Sequence, residues 1–445
     1  MLKTFNRGGI HVPENKITAG APIVDVPAPR EAVVTFSQHI GAMAVCCVKV
    51  GDQVKRGQLI AKANGVVSAN VHTPISGKVT SIGKLKTAFG YPCDTVTIVA
   101  SDEDVAFDAE NIPTPRTDEE IEALTSEEIK DIVADAGVVG LGGATFPTKV
   151  KLTPPADAHA EVLILNGAEC EPYLTNDHAL MLACADEILE GVRYIMRATG
   201  VKKAVFGIEN NKKDVIELFN SKLKGEKSIV VQALQTKYPQ GGEKQLIKAI
   251  TGKEVANGAL PISVGALVQN VATAYAIYRA VRLRDPLISR IITVTGKSVE
   301  KPGNYRVYLG TSLKSVVDVA GGIPEDTGKI VVGGPMMGRA IVSLDTPTTK
   351  GVSGLLFLNE AEARREAEEP CIRCGACVRD CPMGLEPYLL MSLTENNEVE
   401  QAEEHGVRNC IECGCCAYTC PSHRPLLDFI RLGKAKVNDM IRKKR

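Results

Sequence analysis

The sequence predicts a multidomain protein of mixed α/β and α+β class, and three observations support this. Strand-like and helix-like segments alternate through the middle of the chain. Short strands separated by glycine and proline turns precede that region, and two similar runs of cysteines lie near the carboxyl end. A chain of 445 residues is long enough for about three domains or more, each with its own core.

Composition excludes some classes of function. A formal net charge of -1 gives no electrostatic support for nucleic-acid binding, and a chain with 4% aromatic residues and no Trp lacks stacking platforms for single strands. No apolar run approaches the roughly 18 residues of a spanning helix. We find no signal-peptide pattern and therefore expect a protein on the cytoplasmic side, with peripheral membrane association only.

The amino-terminal part is predicted to contain one small β domain. Residues 1–30 are expected to be irregular because prolines interrupt them, whereas residues 31–103 carry short apolar runs typical of an antiparallel barrel or sandwich. The segments VKVGDQVKRGQLIA and PISGKVTSI resemble the biotinyl/lipoyl carrier fold. The carrier lysine is absent, since Val66 or Val67 stands at the hairpin tip, so we expect a structural or docking module.

A central domain over residues 117–285 follows an acidic, proline-broken stretch that is predicted to be an exposed linker. Its first helix is predicted to begin at the N-cap Ser126. The helix leads into GLGGATFPTKVKL, whose glycines let backbone N–H groups approach a phosphate or a flat ring, with Lys149 and Lys151 supplying positive charge. A glycine-rich stretch of this kind can also be a simple turn.

Alternating strands and helices predict a doubly wound, parallel sheet in this central domain. The apolar run EVLILNGAE ends at Asn166, and a loop with Glu169 and Glu171 follows it. In an open α/β sheet, ligands bind at the carboxyl ends of the strands, so these polar residues mark the expected site. The alternative is a solvated acidic loop.

Residues 286–345 fit a β-grasp unit, with two hairpin strands around Lys301 to Asn304, a helix over Ser312 to Ala320 and a further strand. The charged segment LNEAEARREAEEP is predicted to be helical. Residues 426–445 form a predicted basic helix with a partial apolar stripe. That helix is interpreted either as a solvated terminus or as a contact for anionic lipid or a membrane partner.

Residues 358–425 contain the pattern C-x2-C-x2-C-x3-C-P twice, in CIRCGACVRDCP and CIECGCCAYTCP. This spacing predicts two 4Fe-4S clusters in a ferredoxin-like helical domain, each cluster taking its fourth cysteine from the other run. The predicted ligand sets are Cys371, Cys374, Cys377 with Cys420, and Cys410, Cys413, Cys416 with Cys381. Cys415 is left over. The alternatives are zinc knuckles, which need only four donors, and disulfides, which a reducing compartment disfavours.

GLGGATFPTKVK, NGAECEPYL and QNVAT resemble motifs of the flavin- and NADH-binding subunit of respiratory complex I. With KYPQGGEKQLI and the order of domains, nearly the whole chain resembles the C-subunit family of the Rnf complex. The resemblance implies FMN and NADH sites at the matching positions, namely Gly140, Gly142, Gly143, Phe146, Lys151, Asn166, Glu169, Glu171, Gly242, Glu243, Asn270 and Thr273. Leu141, Ala168 and Cys170 depart from the complex I pattern.

The resemblance implies an electron-input subunit of a membrane-bound NADH:ferredoxin oxidoreductase coupled to ion transport. Its expected cofactors are FMN and the two clusters, with NADH as substrate. Its expected partners are the other subunits and, through one of them, ferredoxin. A hydride donor releases two electrons together whereas a 4Fe-4S cluster accepts one, so a flavin is the expected link between them. The competing hypothesis is an electron relay and docking subunit that does not itself bind NADH.

Overall fold

The computed structural model describes residues 2–155 and 157–444, so Met1, Ala156 and the last residue of the predicted basic helix, Arg445, lie outside the described residues. The strands form four sheets, of six, four, four and three strands. Within the described part of the chain, no helix is both long enough and apolar enough to cross a membrane.

The amino-terminal domain is an antiparallel sandwich, as predicted. Its sheets run in the orders β2-β8-β7-β4 and β3-β5-β6 and enclose a core that includes Ala32, Ile60 and Ile98. Val66, at the hairpin tip, is 82% exposed and leaves no reactive side chain there. The strands of the sandwich are β2 (Glu31–Thr35), β3 (Val45–Cys46), β4 (Gln53–Val54), β5 (Leu59–Lys62), β6 (Val71–His72), β7 (Gly77–Lys86) and β8 (Pro92–Val99), and β1 (Ile23–Asp25) precedes them.

Two regions around this sandwich contain elements that the sequence did not predict, although the acidic linker is exposed as expected, with no buried residue in its first helix. The first 30 residues are not wholly irregular, because β1 pairs in parallel with residues 304–306 in a later sheet. The acidic linker contains the helices α1 (Asp102–Glu110) and α2 (Asp118–Ala123). Each helix starts with a capping box, at Ser101 and Thr117, which satisfies free N–H groups and initiates a helix despite the nearby prolines.

The central domain contains a four-stranded sheet in the order β11-β10-β9-β12, and every neighbouring pair is parallel. The parallel sheet was predicted. The N-cap of the first helix is Thr125 and not Ser126, because the Thr125 side chain accepts from the Glu128 N–H. The elements are α3 (Ser126–Asp135), α4 (Thr148–Leu152), β9 (Val162–Gly167), α5 (Asn176–Ala183), α6 (Ala185–Thr199), β10 (Ala204–Glu209), α7 (Lys213–Lys222), β11 (Ile229–Leu234), α8 (Glu243–Thr251), β12 (Ala266–Asn270) and α9 (Val271–Leu283).

Both faces of this parallel sheet are covered, which explains its continuously apolar strands. Leu163, Leu165 and Phe206 pack in one core with residues of α3, α6, α7 and α9. Ile164 and Val205, on the opposite face, pack against α8. The helices and the sheet therefore hold the carboxyl ends of the four strands in fixed positions.

A six-stranded mixed sheet follows, in the order β1-β14-β13-β17-β15-β16. It includes the predicted hairpin and a helix capped by Ser312. The sheet extends to Asn359, beyond the expected boundary at residue 345, because β17 inserts beside β13. Its elements are β13 (Ser289–Thr295), β14 (Gly303–Tyr308), α10 (Leu313–Val319), β15 (Thr327–Val332), β16 (Arg339–Ala340) and β17 (Gly354–Asn359).

The carboxyl-terminal domain is helical around the cysteines. The predicted helix over LNEAEARREAEEP is one turn only, α11 (Glu360–Ala363), because this charged segment has no apolar stripe to bury and propensity alone does not hold a short helix. The remaining helices are α12 (Ala376–Arg379), α13 (Pro387–Glu395), α14 (Val399–Glu404), α15 (Cys415–Tyr418) and α16 (Leu426–Lys444). Leu426, Ile430 and Val437 of α16 are buried in this domain's own core, so its apolar stripe does not face lipid.

Candidate functional site

The carboxyl ends of β9 and β12 meet at the point where the strand order of the parallel sheet reverses. The strands follow one another in the chain as β9, β10, β11 and β12, but β12 lies beside β9. Asn166 and Asn270 are register partners at these two strand ends. Ligands of open α/β sheets bind at such switch points, so the fold brings two predicted site residues to the expected place.

The glycine-rich loop lies directly against this edge. A Cβ added at Gly142 would stand 3.2 Å from the Asn270 Cβ, a tight contact that would require Asn270 to shift slightly. Gly143 has φ +131°, a conformation open mainly to glycine, and a Cβ there would meet no atom within 4 Å. The Leu141 N–H donates to Thr273 Oγ1 at 2.9 Å. Together these contacts form a rigid loop whose glycines present an open backbone surface.

Lys151 and the segment around Gly242 complete the same edge. Lys151 Nζ donates to Glu243 Oε1 at 2.7 Å and lies 3.3 Å from the carbonyl oxygen of Val268. Asn166 Nδ2 donates to the carbonyl oxygen of Gly241 at 2.8 Å. The motifs that are separated in sequence thus meet at one edge, where the Lys151 ammonium is paired with the Glu243 carboxylate.

The carboxylates of the two glutamates in the loop after β9 accept hydrogen bonds from backbone N–H groups. Glu169 accepts from the N–H groups of Asp177 and His178, at 2.6 and 3.2 Å, at the start of α5. Glu171 accepts from those of Met336 and Met337, at 3.1 and 2.7 Å, in a turn of the six-stranded sheet. Burial raises the pKa of each carboxyl to about 7. The loop is therefore held by buried hydrogen bonds and is not a solvated acidic stretch.

The raised pKa of Glu171 predicts a pH-dependent stability. The folded state binds the proton more tightly than the unfolded state, whose value is 4.5. The stabilisation contributed by protonated Glu171 is therefore complete below pH 4.5 and is lost as the pH rises through about 7. Glu171→Gln removes this titration. Between about pH 5 and 8, the free energy of unfolding of the variant should therefore rise relative to that of the wild type by up to about 3 kcal/mol. Thermal denaturation followed by circular dichroism at the two pH values measures this difference. Parallel pH profiles for the two proteins would contradict this expectation.

The sequence patterns did not identify several buried groups near this edge. Lys212 is 2% exposed, and its Nζ donates to the carbonyl oxygen of Ala168 at 2.6 Å. Lys16, far away in the chain, donates to the carbonyl oxygens of Glu169 and Glu171. Neither lysine belongs to a recognisable motif. Phe146 meets the glycine loop through its backbone, since its carbonyl oxygen accepts from the Gly140 N–H at 2.8 Å.

The structure brings cysteines of the two runs near one another. Burial raises the pKa of Cys377, and the neighbouring charges of Cys420 and Cys371 add to the rise. Burial likewise raises the pKa of Cys410 to about 11, with Cys413 and Cys381 as its neighbouring thiols. Cys381 and Cys420 thus each lie near the cysteines of the other run, as the crossing pattern requires. We call the set with Cys371 the first cluster site and the set with Cys381 the second.

The second cluster site is a small pocket lined by Cys381, Cys410, Cys413 and Cys416 and by apolar side chains that include Leu390 and Ile430. In the described ranges, no three His, Cys, Asp or Glu side chains converge closely enough to hold a single metal ion. A cubane keeps its four sulfur ligands further apart than one zinc ion does, so this donor set fits a cluster better than a zinc knuckle.

The second cluster site touches the central domain. Tyr238 Oη donates to the carbonyl oxygen of Cys413 at 2.8 Å, and the tyrosine is 2% exposed. Tyr238 packs in one apolar cluster with Cys413, Cys415 and Cys170. Cys170 Sγ in turn accepts from the Gly241 N–H at 3.3 Å. A continuous packed path therefore runs from Asn166 at the sheet edge, through Gly241, to the second cluster site.

Comparison with known families identifies each part of the chain. The RnfC barrel sandwich hybrid domain matches residues 3–104, and the Nuo51 FMN-binding domain matches residues 133–279. The SLBB domain matches residues 291–340, and a 4Fe-4S dicluster domain matches residues 364–421. The FMN-domain match contains the glycine loop and both strand ends, and the dicluster match contains both cysteine runs.

Curated relatives are similar to the chain over almost its full length. The C subunit of a proton-translocating ferredoxin:NAD(+) oxidoreductase complex from Clostridium ljungdahlii is 46% identical, covering 98% of this chain and 94% of the relative. The C subunit of a Na(+)-translocating ferredoxin:NAD(+) oxidoreductase complex from Acetobacterium woodii is 41% identical, covering 97% and 96%. The C subunit of an ion-translocating oxidoreductase complex from Rhodobacter capsulatus is 42% identical, covering 98% and 84%.

Proposed function

The chain belongs to the family of C subunits of ion-translocating ferredoxin:NAD(+) oxidoreductase complexes, the Rnf type, and on that premise we propose how its residues carry electrons between NADH and the partner subunits. It is an electron-input subunit that uses FMN and two 4Fe-4S clusters in a complex coupled to ion translocation. The parallel sheet edge would hold FMN and receive NADH, and the clusters would connect it to the rest of the complex.

The residues at the sheet edge fit FMN. The open backbone at Gly143 admits a phosphate or a ring without steric conflict, and the Lys151 ammonium supplies the matching positive charge. Asn166 and Asn270 place amide groups on either side of the switch point. FMN, when bound, supplies the exchange between two-electron and one-electron transfer that a nicotinamide and a 4Fe-4S cluster require. The protein's part is placement, and no general base is needed.

The contact between Tyr238 and Cys413 is the observation that carries the proposed order of electron transfer. It supports an order in which the second cluster lies beside the flavin domain. Cys371 and Cys374 of the first cluster site are exposed, so this site would exchange electrons with a partner. Ile372, Tyr388 and Tyr418 around it are 68%, 46% and 54% exposed, which offers an apolar docking surface to another redox subunit.

The finer features of the proposal follow from the same arrangement. We assign a biotinyl/lipoyl-like hybrid fold to the sandwich, a doubly wound fold to the FMN domain and a β-grasp fold to the SLBB domain. Phe146 and Glu171 would lie near the nicotinamide nucleotide. The complex would carry this subunit peripherally on the cytoplasmic side of the membrane, with ferredoxin reached through another subunit. Arg442, Lys443 and Lys444 of α16 are exposed and would face anionic lipid or a partner.

Adding NADH to the anaerobically reconstituted chain tests whether this subunit handles the nucleotide itself. The proposal predicts that the flavin absorbance bleaches on addition of NADH alone. A subunit that only relays electrons between partners would keep its oxidised flavin spectrum until a partner was added. The same sample treated with dithionite provides the reference for full bleaching.

A further inference from the structure

The first residues of the chain form a strap over the carboxyl end of the parallel sheet, which we define as residues 3–18. Lys3 pairs with Leu234 at the end of β11. Ile10 and Tyr238 exchange two backbone hydrogen bonds, of 2.8 and 2.9 Å. Thr18 Oγ1 lies 2.5 Å from Thr175 Oγ1, just before α5. The strap therefore runs along this edge from the end of β11 to the loop after β9.

Lys16 is the residue of the strap that binds the loop after β9. Its Nζ donates to the carbonyl oxygens of Glu169, Glu171 and Leu174, at 2.8, 2.8 and 2.6 Å. All three N–H groups of the ammonium thus donate to carbonyl oxygens of one loop. That loop contains two non-glycine residues with positive φ, Glu169 at 45° and Tyr173 at 68°. A backbone in this conformation needs outside support, which Lys16 supplies.

The loop held by Lys16 is connected to the glycine loop. Its Glu169 carboxylate accepts from the Asp177 N–H, and Asp177 Oδ2 accepts from Asn270 Nδ2 at 2.7 Å. Asn270 is the residue against which Gly142 packs. Displacing Lys16 would therefore disturb the FMN-binding edge through an unbroken series of contacts.

The strap also contacts the second cluster site. The Gly9 N–H donates to the carbonyl oxygen of Asp380 at 3.0 Å, next to the ligand Cys381. A Cβ added at Gly8 would lie 2.5 Å from the Cys381 carbonyl oxygen. The strap thus contacts both the sheet edge and the second cluster site, although it lies outside the part of the chain that matches the FMN-binding domain, residues 133–279.

We propose that Lys16 is a positioning residue of the flavin site, which holds the loop after β9 in shape and adds a positive charge that favours the reduced form of FMN. This inference rests on the proposed function. Reduced flavin carries more negative charge than oxidised flavin, so an ammonium bound to the loop after β9 would stabilise it preferentially. The flavin potential and the FMN affinity should both depend on this residue.

The test compares Lys16→Met with the wild type in the full chain, reconstituted anaerobically with iron, sulfide and FMN. We expect FMN to bind about tenfold more weakly or worse, because hydrogen bonds to a charged group are lost. The flavin midpoint potential, measured by spectroelectrochemistry, should fall, and the iron content should stay unchanged. Lys16→Arg, which keeps the charge, should restore most of the potential.

Lys3→Met is the matched control, because Lys3 also ties the strap to the central domain, through the carbonyl oxygen of Ile250 at 3.1 Å, without touching the loop. It should leave affinity and potential at wild-type values. Equal effects of the two variants, or none from Lys16→Met, would overturn the inference. If Lys16→Met also loses iron, the comparison is made between Lys16→Gln, which removes the charge, and Lys16→Arg, which keeps it. Equal flavin midpoint potentials in these two variants would overturn the inference. A wild type that binds no FMN would instead overturn the proposed function.

Discussion

Replacing Cys413 by alanine is expected to remove one of the two 4Fe-4S clusters and to leave FMN and the other cluster bound. Cys413 belongs to the buried set with Cys381, Cys410 and Cys416, which lines its own cavity in an apolar setting. The remaining three thiols cannot complete the coordination of a cubane. Iron and sulfide analysis should show half of the wild-type content, and NADH should still bleach the flavin without passing electrons to the first cluster.

Cys415→Ala is the matched control for this experiment. Cys415 is as buried as its neighbours, adjacent to Cys416 and packed with Cys413, but it belongs to neither predicted set. It should keep full iron content. Cys374→Ala should lose the other, exposed cluster and still allow electrons to pass from the flavin to the second cluster. Full iron content in Cys413→Ala, or iron loss in Cys415→Ala, would refute the ligand assignment.

Replacing Gly143 by valine is expected to abolish FMN binding in the reconstituted chain. The backbone at this position has φ +131°, which a β-branched residue adopts only with strain on the order of 1–3 kcal/mol. The added side chain would also occupy the open space in front of the loop. Fluorescence titration should show FMN affinity reduced by about a hundredfold or more, since strain and steric exclusion act together.

Gly200→Val is the control for backbone strain, because it places valine at a positive φ outside the glycine loop. Gly200 ends α6 with φ +74°, and a Cβ there meets no atom within 4 Å, but the residue lies away from the sheet edge. We expect this variant to lose stability and to keep its FMN affinity. Wild-type affinity in Gly143→Val would mean that FMN does not use the glycine loop.

The sequence was most informative where function depends on local spacing. The spacing of the two cysteine runs predicts their ligand sets, and the structure places Cys377 near Cys420 and Cys410 near Cys381. The apolar run ending at Asn166 predicted a parallel strand with a polar end, because both faces of such a strand are buried. Asn166 and Asn270 lie side by side because β12 is the neighbour of β9 in the sheet. The periodicity of the sequence does not predict this strand order.

The strap and the domain junctions could not be predicted from the sequence, because their contacts join residues far apart in the chain. Lys16 meets Glu169 across 153 positions and Tyr238 meets Cys413 across 175, and no local pattern marks either pair. Strand β1 was missed because it has only three residues and pairs with a distant strand. The charged segment after β17 was predicted to be helical from propensity, which did not suffice without an apolar face.

Electron transfer from NADH through the flavin edge into the second cluster is the central claim, and one anaerobic sample tests it most directly. The chain is reconstituted with FMN, iron and sulfide, mixed with NADH, and followed by flavin absorbance and by electron paramagnetic resonance of the frozen mixture. We expect one FMN and two four-iron clusters per chain, bleaching of the flavin, and signals of reduced clusters that Cys413→Ala abolishes. Protein without iron, or a bleached flavin beside clusters that stay oxidised, would contradict the claim.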